Sequence, residues 1–153
     1  MQLMKEAIIM DILTALKISG SGLKAERARL NVTAMNLANA NTTRTIEGGP
    51  YRAKSVVFQA KPLKTFRDVL NTTEDKLRQV EVVEVVEDNK EFKAVYDPSH
   101  PDADENGIVL FPNVDEAEQM VDMISARRGY EANVAAIESV KSMAIKALDI
   151  ARR

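Results

Sequence analysis

The sequence predicts an α+β fold, with long helices at its N- and C-terminal ends pairing as a coiled coil around a small β-rich insert. Apolar residues recur every seven positions near both ends, and the middle third changes to short β-branched and aromatic runs. Breaker and turn residues mark the borders between these regimes. The division that follows is a helical segment over 1–45, a β-rich insert over 46–112, and a C-terminal helix over 113–153 that pairs with the first.

The first helix is read over residues 9–41. Ile9, Leu16, Leu23, Leu30 and Leu37 stand seven apart, with Ile12, Leu13 and Ala34 beside them, a narrow stripe suited to a coiled-coil seam. Asn39 and Asn41 are expected to close the helix, because asparagine tolerates the left-handed backbone, and Thr42, Thr43, Gly48, Gly49 and Pro50 follow as breakers. Ser19-Gly20-Ser21-Gly22 interrupts the pattern. Two interior glycines cost roughly 2 kcal/mol against alanine, so a hinge or frayed turn is expected there.

Residues 51–111 lose the helical period. The runs 55–60, 80–86 and 91–96 are rich in β-branched and aromatic side chains, and Asn106-Gly107 ahead of 108–111 signals a tight turn. Glu81, Glu84 and Glu87 recur every third position rather than alternating, so the pattern assigns no buried face to the second run. The last helix is read over 114–151, with Met123, Tyr130, Ile137, Ala144 and Ala151 seven apart and Ala126, Val134, Val140, Ala147 and Leu148 in the flanking rows. Pro112 and Asn113 mark its start, and Asp115, Glu116 and Glu118 place negative charge where the helix dipole favours it. Arg152 and Arg153 suit the opposite end.

Straight helices of these spans would be roughly 50 and 58 Å long, more than a compact chain of this size hides. Alanine at positions 126, 144, 147 and 151 buries little area, so an isolated two-helix pair is marginal. Small residues also let several helices approach from different sides. The surplus apolar surface is expected to find partners outside the chain, coupling assembly to folding.

Composition narrows the function classes. The chain has 153 residues, room for one ordinary domain, and its 45% hydrophobic and 29% charged content belongs to a folded protein rather than a disordered one. Lys and Arg number 21 against 23 acidic residues, a net charge of −2 that disfavours phosphate-dependent binding of nucleic acid. Lys24, Arg27 and Arg29 share their helix with Glu26 and read as a solvated face. Cysteine is absent, which removes disulfides, thiolate metal sites and cysteine nucleophiles. Asp11 interrupts the apolar run from Ala7 to Met10, so neither a signal peptide nor a membrane-spanning helix is expected there.

The local motifs carry little chemistry. Asp102-x-Asp104-x-Asn106-Gly107 matches the first half of an EF-hand calcium loop, yet its twelfth position is Asn113, and Pro98, Pro101 and Pro112 obstruct the flanking helices. A polar turn is the better reading, and a soluble coiled-coil adaptor with a calcium loop over 102–107 is the alternative. His100 is the only histidine and sits in that loop between Ser99 and Pro101. Glu81, Glu84, Glu87, Glu116 and Glu118 read as solvated carboxylates rather than an acid/base pair. Gly48-Gly49-Pro50 lacks the lysine and helix of a phosphate loop. The triplets beginning at Asn31, Asn41 and Asn71 fit the glycosylation pattern but arise often by chance. No catalytic residue, cofactor-binding residue or metal ligand is assigned.

Ala34-Met35-Asn36-Leu37-Ala38-Asn39-Ala40-Asn41-Thr42 resembles the N-terminal signature shared by the rod and hook proteins of the bacterial flagellum, and Arg128-Gly129-Tyr130-Glu131-Ala132-Asn133-Val134 resembles their C-terminal one. The run from Pro50 to Phe58, the stretch from Tyr96 through Pro112-Asn113-Val114, and Lys141-Ser142-Met143 with Ala147-Leu148 are similar to the short proximal-rod members of that family. The likeness runs from about Met10 to the end, except in the central stretch.

The resemblance implies a non-enzymatic, D0-like structural subunit of the basal-body rod, the axial drive shaft that crosses the periplasm and transmits torque. It implies export by the flagellar type III apparatus without a cleaved signal peptide, and polymerisation with its own copies, other rod subunits and adaptor proteins at the rod base and MS ring. No cofactor, metal, nucleic acid, small-molecule substrate or membrane insertion is implied. Stripe and signature together give the expected packing residues: Leu16, Leu23, Leu30, Asn36, Leu37, Asn39, Asn41, Met123, Tyr130, Glu131, Asn133, Ile137, Ala144 and Leu148. Residues 1–9 precede the family's usual pattern, so either Met10 is the start or the extension adds a contact near the rod base. Residues 63–93 are longer and more charged than in a minimal member.

Overall fold

The computed structural model of the chain describes residues 2–63 and 77–151. Its elements are α1 (Gln2–Ala38), β1 (Lys54–Pro62), β2 (Arg78–Glu87), β3 (Lys93–Tyr96), β4 (Ile108–Phe111) and α2 (Glu116–Ala151). The strands form two sheets of two, β1 with β2 and β3 with β4. The architecture is thus α+β, with two long helices around a small insert. Asn71 and the charged run 64–76 lie outside the described residues, as do Arg152, Arg153 and the side chains of Ile9 and Ala151.

Helix α1 begins earlier than expected and runs unbroken through residues 19–22, which corrects the expected hinge. Ser21 Oγ donates to the Ile18 carbonyl at 2.7 Å, holding the hydroxyl within the helix. Gly22 lies close against α2: a Cβ on it would stand 2.6 Å from Asn133 Oδ1. The helix end departs from the left-handed closure expected of Asn39 and Asn41, since positive φ among the described residues occurs only at Gly48, Gly49 and Gly107. Instead the last turn tightens. The Asn39 amide bonds the carbonyls of Met35 and Asn36 at 3.1 and 3.2 Å, and its Nδ2 caps Met35 O at 2.9 Å.

The Asp88 amide bonds Ala53 O at 2.7 Å and the Leu63 amide bonds Leu77 O at 3.0 Å, so β1 and β2 run antiparallel to both ends. Along β2, Val82 and Val86 are half-buried while Val80, Val83 and Val85 are exposed, so no clean alternation develops. Strands β3 and β4 pair antiparallel, Lys93 opposite Phe111 and Tyr96 opposite Ile108, with Val109 fully buried. The expected tight turn at Asn106-Gly107 does not join two strands directly. It closes the long connection over residues 97–107: Gly107 adopts φ 77° and its amide bonds Asp104 O at 2.9 Å. Helix α2 starts at Glu116, with Asp115 as its cap.

The chain gathers into two compact units, one holding residues 1–27, 58–83 and 127–153, the other 28–57 and 84–126. In the first, α1 and α2 lie antiparallel, Gly22 against Asn133 and Gly129 against Glu26, whose Cδ would stand 2.8 Å from an added Cβ. Among the described residues, Ala25, Leu63 and Val140 are its buried apolar side chains. Ser21 Oγ also accepts from the Val80 amide at 3.2 Å, fastening β2 to α1. In the second, Arg29 pairs with Asp122 at 2.7 Å and Asn36 with Gln119 at 2.9 Å. Val32, Val109 and Ala126 are buried there, and Ala40, Ala53 and Val114 form a small cluster on which Tyr51 packs.

Candidate assembly surface

The innermost positions of the helices are small or polar rather than leucine. Ala25 and Val32 are buried on α1, and Ala126 and Val140 on α2, with Gly22 and Asn133 in close contact. Leu16, Leu23, Leu30 and Leu37 repeat at the same interval on another side of the helix, roughly 140–160° around from Ala25 and Val32, and every one of them is only half-buried. The leucine stripe is therefore not the most buried row of α1 within the chain. Small residues such as Gly22 and Ala25 allow close backbone approach there.

Asn36 is 2% exposed and saturates its hydrogen bonds within the chain. Its Oδ1 accepts from Tyr51 OH at 3.0 Å and the Lys54 amide at 2.9 Å; its Nδ2 donates to Lys54 O at 2.8 Å and Gln119 Oε1 at 2.9 Å. One side chain thereby ties α1, the start of β1 and the first turns of α2 together. Burial, with the Glu87 carboxylate nearby, pushes the Tyr51 hydroxyl above its ordinary pKa, keeping it a neutral donor. Asn113 does the same work opposite: its Oδ1 accepts from the Ala53 amide at 2.8 Å, and its Nδ2 reaches Asp88 O at 3.1 Å and Lys90 O at 3.2 Å. Arg52 donates to the same two carbonyls and lies 4.4 Å from the centre of the Phe92 ring.

The calcium-like loop uses its own oxygens. Asp104 Oδ1 accepts from the amides of Ile108 at 2.8 Å and Asn106 at 2.9 Å, which holds its carboxyl below the usual carboxylate range. Asp102 accepts from Thr43 Oγ1 at 2.8 Å and stands 3.8 Å from Arg44. His100 packs edge-on against Phe111 and accepts the Asp102 amide at Nδ1, 3.1 Å away. Among the described residues, no group of three acidic or histidine side chains is placed to hold a metal ion. No described helix is long and apolar enough to cross a membrane.

The other expected packing residues lie mostly at the surface. Met123, Asn133, Ile137, Ala144 and Asn39 are half-buried; Asn41, Tyr130, Glu131 and Leu148 are exposed. Asn133 Nδ2 caps Gly129 O at 2.9 Å, and Glu131 pairs with Arg127 one turn away at 2.9 Å. In the second unit α2 leaves Met120, Val121 and Ile124 in solvent, Val121 at 66% exposure; in the first it leaves Met143, Ile145, Leu148 and Ile150 so. Sequence reasoning missed Tyr51, Asn113 and Gln119 as structural anchors. Asn113 stands between Pro112 and Val114, both buried, where a polar side chain needs a partner, but only the fold reveals that burial.

Comparison with known proteins bears on this surface. The family described as flagella basal body rod protein matches residues 16–44, and the one described as flagellar basal body rod FlgEFG protein C-terminal matches residues 105–150. The chain is 42% identical over 146 residues to the flagellar basal-body rod protein FlgC of Bacillus subtilis, covering 90% of this chain and 97% of the relative. It is 42% identical over 141 residues to the FlgC of Salmonella typhimurium, covering 92% and 98%, and 39% identical over 149 residues to that of Borreliella burgdorferi, covering 92% and 98%.

Proposed function

The chain belongs to the FlgC family of flagellar basal-body rod proteins, and on that premise we propose that it is a structural subunit of the proximal rod, working by packing and not by catalysis. Its helices run along the shaft, pair as a coiled coil, and lay their unburied apolar rows against neighbouring subunits. Stiffness under torque then comes from side-by-side helices rather than from a large internal core. Partners on this reading are further copies, the other rod subunits, adaptors at the rod base and MS ring, and the type III apparatus that exports the chain across the inner membrane to the periplasmic rod without a cleaved signal peptide.

The observation that carries the proposal is the apolar row that α2 leaves in water: Val121 and Ile124, 66% and 54% exposed, lie on one side of a helix whose opposite side holds Ala126 buried. The helix thus carries apolar residues on both sides here, and the outer row is left for a partner to cover. The calcium-adaptor alternative is not favoured, because Asp102 and Asp104 already accept hydrogen bonds from Thr43, Asn106 and Ile108.

Replacing both Val121 and Ile124 by serine tests this. In cells relying on the variant, its recovery in isolated basal bodies should fall at least about tenfold and swimming should stop, while the purified chain melts within a few degrees of the parent. Full incorporation of the double variant would remove the row from the assembly interface.

A further inference from the structure

Outside the helical rows, the second unit carries an apolar knob and an apolar groove that do not meet within the chain. The knob is Ile46, 107% exposed at the tip of the turn after α1. Among the described residues nothing shelters it, yet its turn is well built. The Thr45 amide bonds Gly49 O at 2.8 Å, the Gly48 amide bonds Thr45 O at 3.1 Å, and Gly48 and Gly49 adopt φ of 92° and 75°, a backbone that other residues resist. A fixed turn with a branched aliphatic side chain at its tip is a preorganised anchor. Arg44, 78% exposed, precedes it, and the exposed Glu47 follows it.

The groove is a cavity of about 400 Å³ between the end of α1, the β3–β4 pair and the start of α2. Ala40, Val95, Phe111, Pro112, Val114 and Ala117 supply its apolar lining, and Lys93, Asp115 and Glu116 add charge of both signs, with Lys93 near Asp115. The charges of knob and groove are complementary. Lys93 already donates to Val114 O at 2.6 Å but keeps two further N–H donors for a carboxylate such as Glu47, and the carboxylate of Glu116 suits Arg44.

We propose that Ile46 of one copy docks in the groove of a second copy, with Glu47 against Lys93 and Arg44 against Glu116. The inference rests on the rod-subunit reading above and names one of its contacts. Knob and groove are different surfaces, so the contact is heterologous and repeats along a helical polymer instead of closing a pair.

The chain has no cysteine of its own, so introduced ones report cleanly. Cells carrying two versions of the chain, Ile46→Cys and Ala117→Cys, are treated with a mild oxidant and their basal bodies isolated. The expected product is a disulfide between one chain of each kind, in clear excess over products with Glu105→Cys in place of Ala117→Cys. Where a cysteine blocks incorporation, charge reversal gives the reading instead: Glu47→Lys or Lys93→Glu alone lowers incorporation at least about fivefold, and the two together restore it to within about twofold. Incorporated chains without the cross-link, a cross-link from Ile46→Cys to a different rod protein, or failed rescue by the double reversal each overturn the knob contact and leave the rod reading standing. Absence of the unaltered chain from basal bodies overturns the rod reading itself.

Discussion

Asn36 shows how a single amide can hold three elements. Replacing it by alanine strands the Lys54 N–H and C=O and the Tyr51 hydroxyl in a site that is 2% exposed, and should lower unfolding free energy by about 3 kcal/mol in a denaturant titration. A midpoint unmoved by Asn36→Ala would mean the network is not cooperative. The two glycines of α1 give a paired test. Gly20 has nothing within 4 Å, so Gly20→Ala should stabilise by about 0.5 to 1 kcal/mol through helix propensity alone. Gly22→Ala gains the same propensity but must push Asn133 off its bond to Gly129 O, so it should show none of that gain. Equal stabilisation by both substitutions would remove the packing explanation for Gly22.

At the scale of elements, the cap of α2 makes stability depend on pH. Asp115 Oδ1 accepts the amides of Glu118 and Ala117, and these bonds, with Lys93 nearby, hold its carboxyl below the ordinary range. The folded state thus binds a proton less readily than the unfolded one. The stabilisation is present above the unfolded pKa of about 4 and is lost as pH falls through the lower folded value. Melting curves should place Asp115→Ala below the parent at pH 7, and the gap should close toward pH 2. A gap that persists at acid pH would assign the effect to something other than the ionised cap. The boundaries of β4 were legible because Gly107 and Pro112 act through local chemistry, whereas α2 was read from about 114 and starts at Glu116, with Asp115 as its cap rather than a member of its first turn. The inner helical row was not legible, because leucines at 16, 23, 30 and 37 and smaller residues at 25 and 32 share one period, and only close approach of a second helix decides between them. The closure of α1 was misread for a related reason: the Asn39 side chain caps Met35 O with no left-handed residue involved.

For the whole molecule, the buried side chains described in the two units differ in number. Among the described residues, the first has Ala25, Leu63 and Val140 as its buried side chains, while the second has Val32, Ala40, Ala53, Val109, Val114 and Ala126 together with Thr33 and Asn36. Local stability follows buried contacts, so the helix pieces of the first unit should open first in an isolated chain and become protected once neighbours cover them. Family membership and the α+β outline were readable from the two terminal signatures and the seven-residue period. The Asn36 and Asn113 networks were not, because they join residues distant in sequence and carry no periodic mark.

Amide hydrogen exchange, compared between dilute monomer and basal bodies, tests most directly whether assembly completes the fold. The monomer should exchange quickly over about 1–27 and 127–153 around a protected middle, and both ends should slow strongly in the rod. Ends already protected in dilute monomer to the level of the middle would contradict the account.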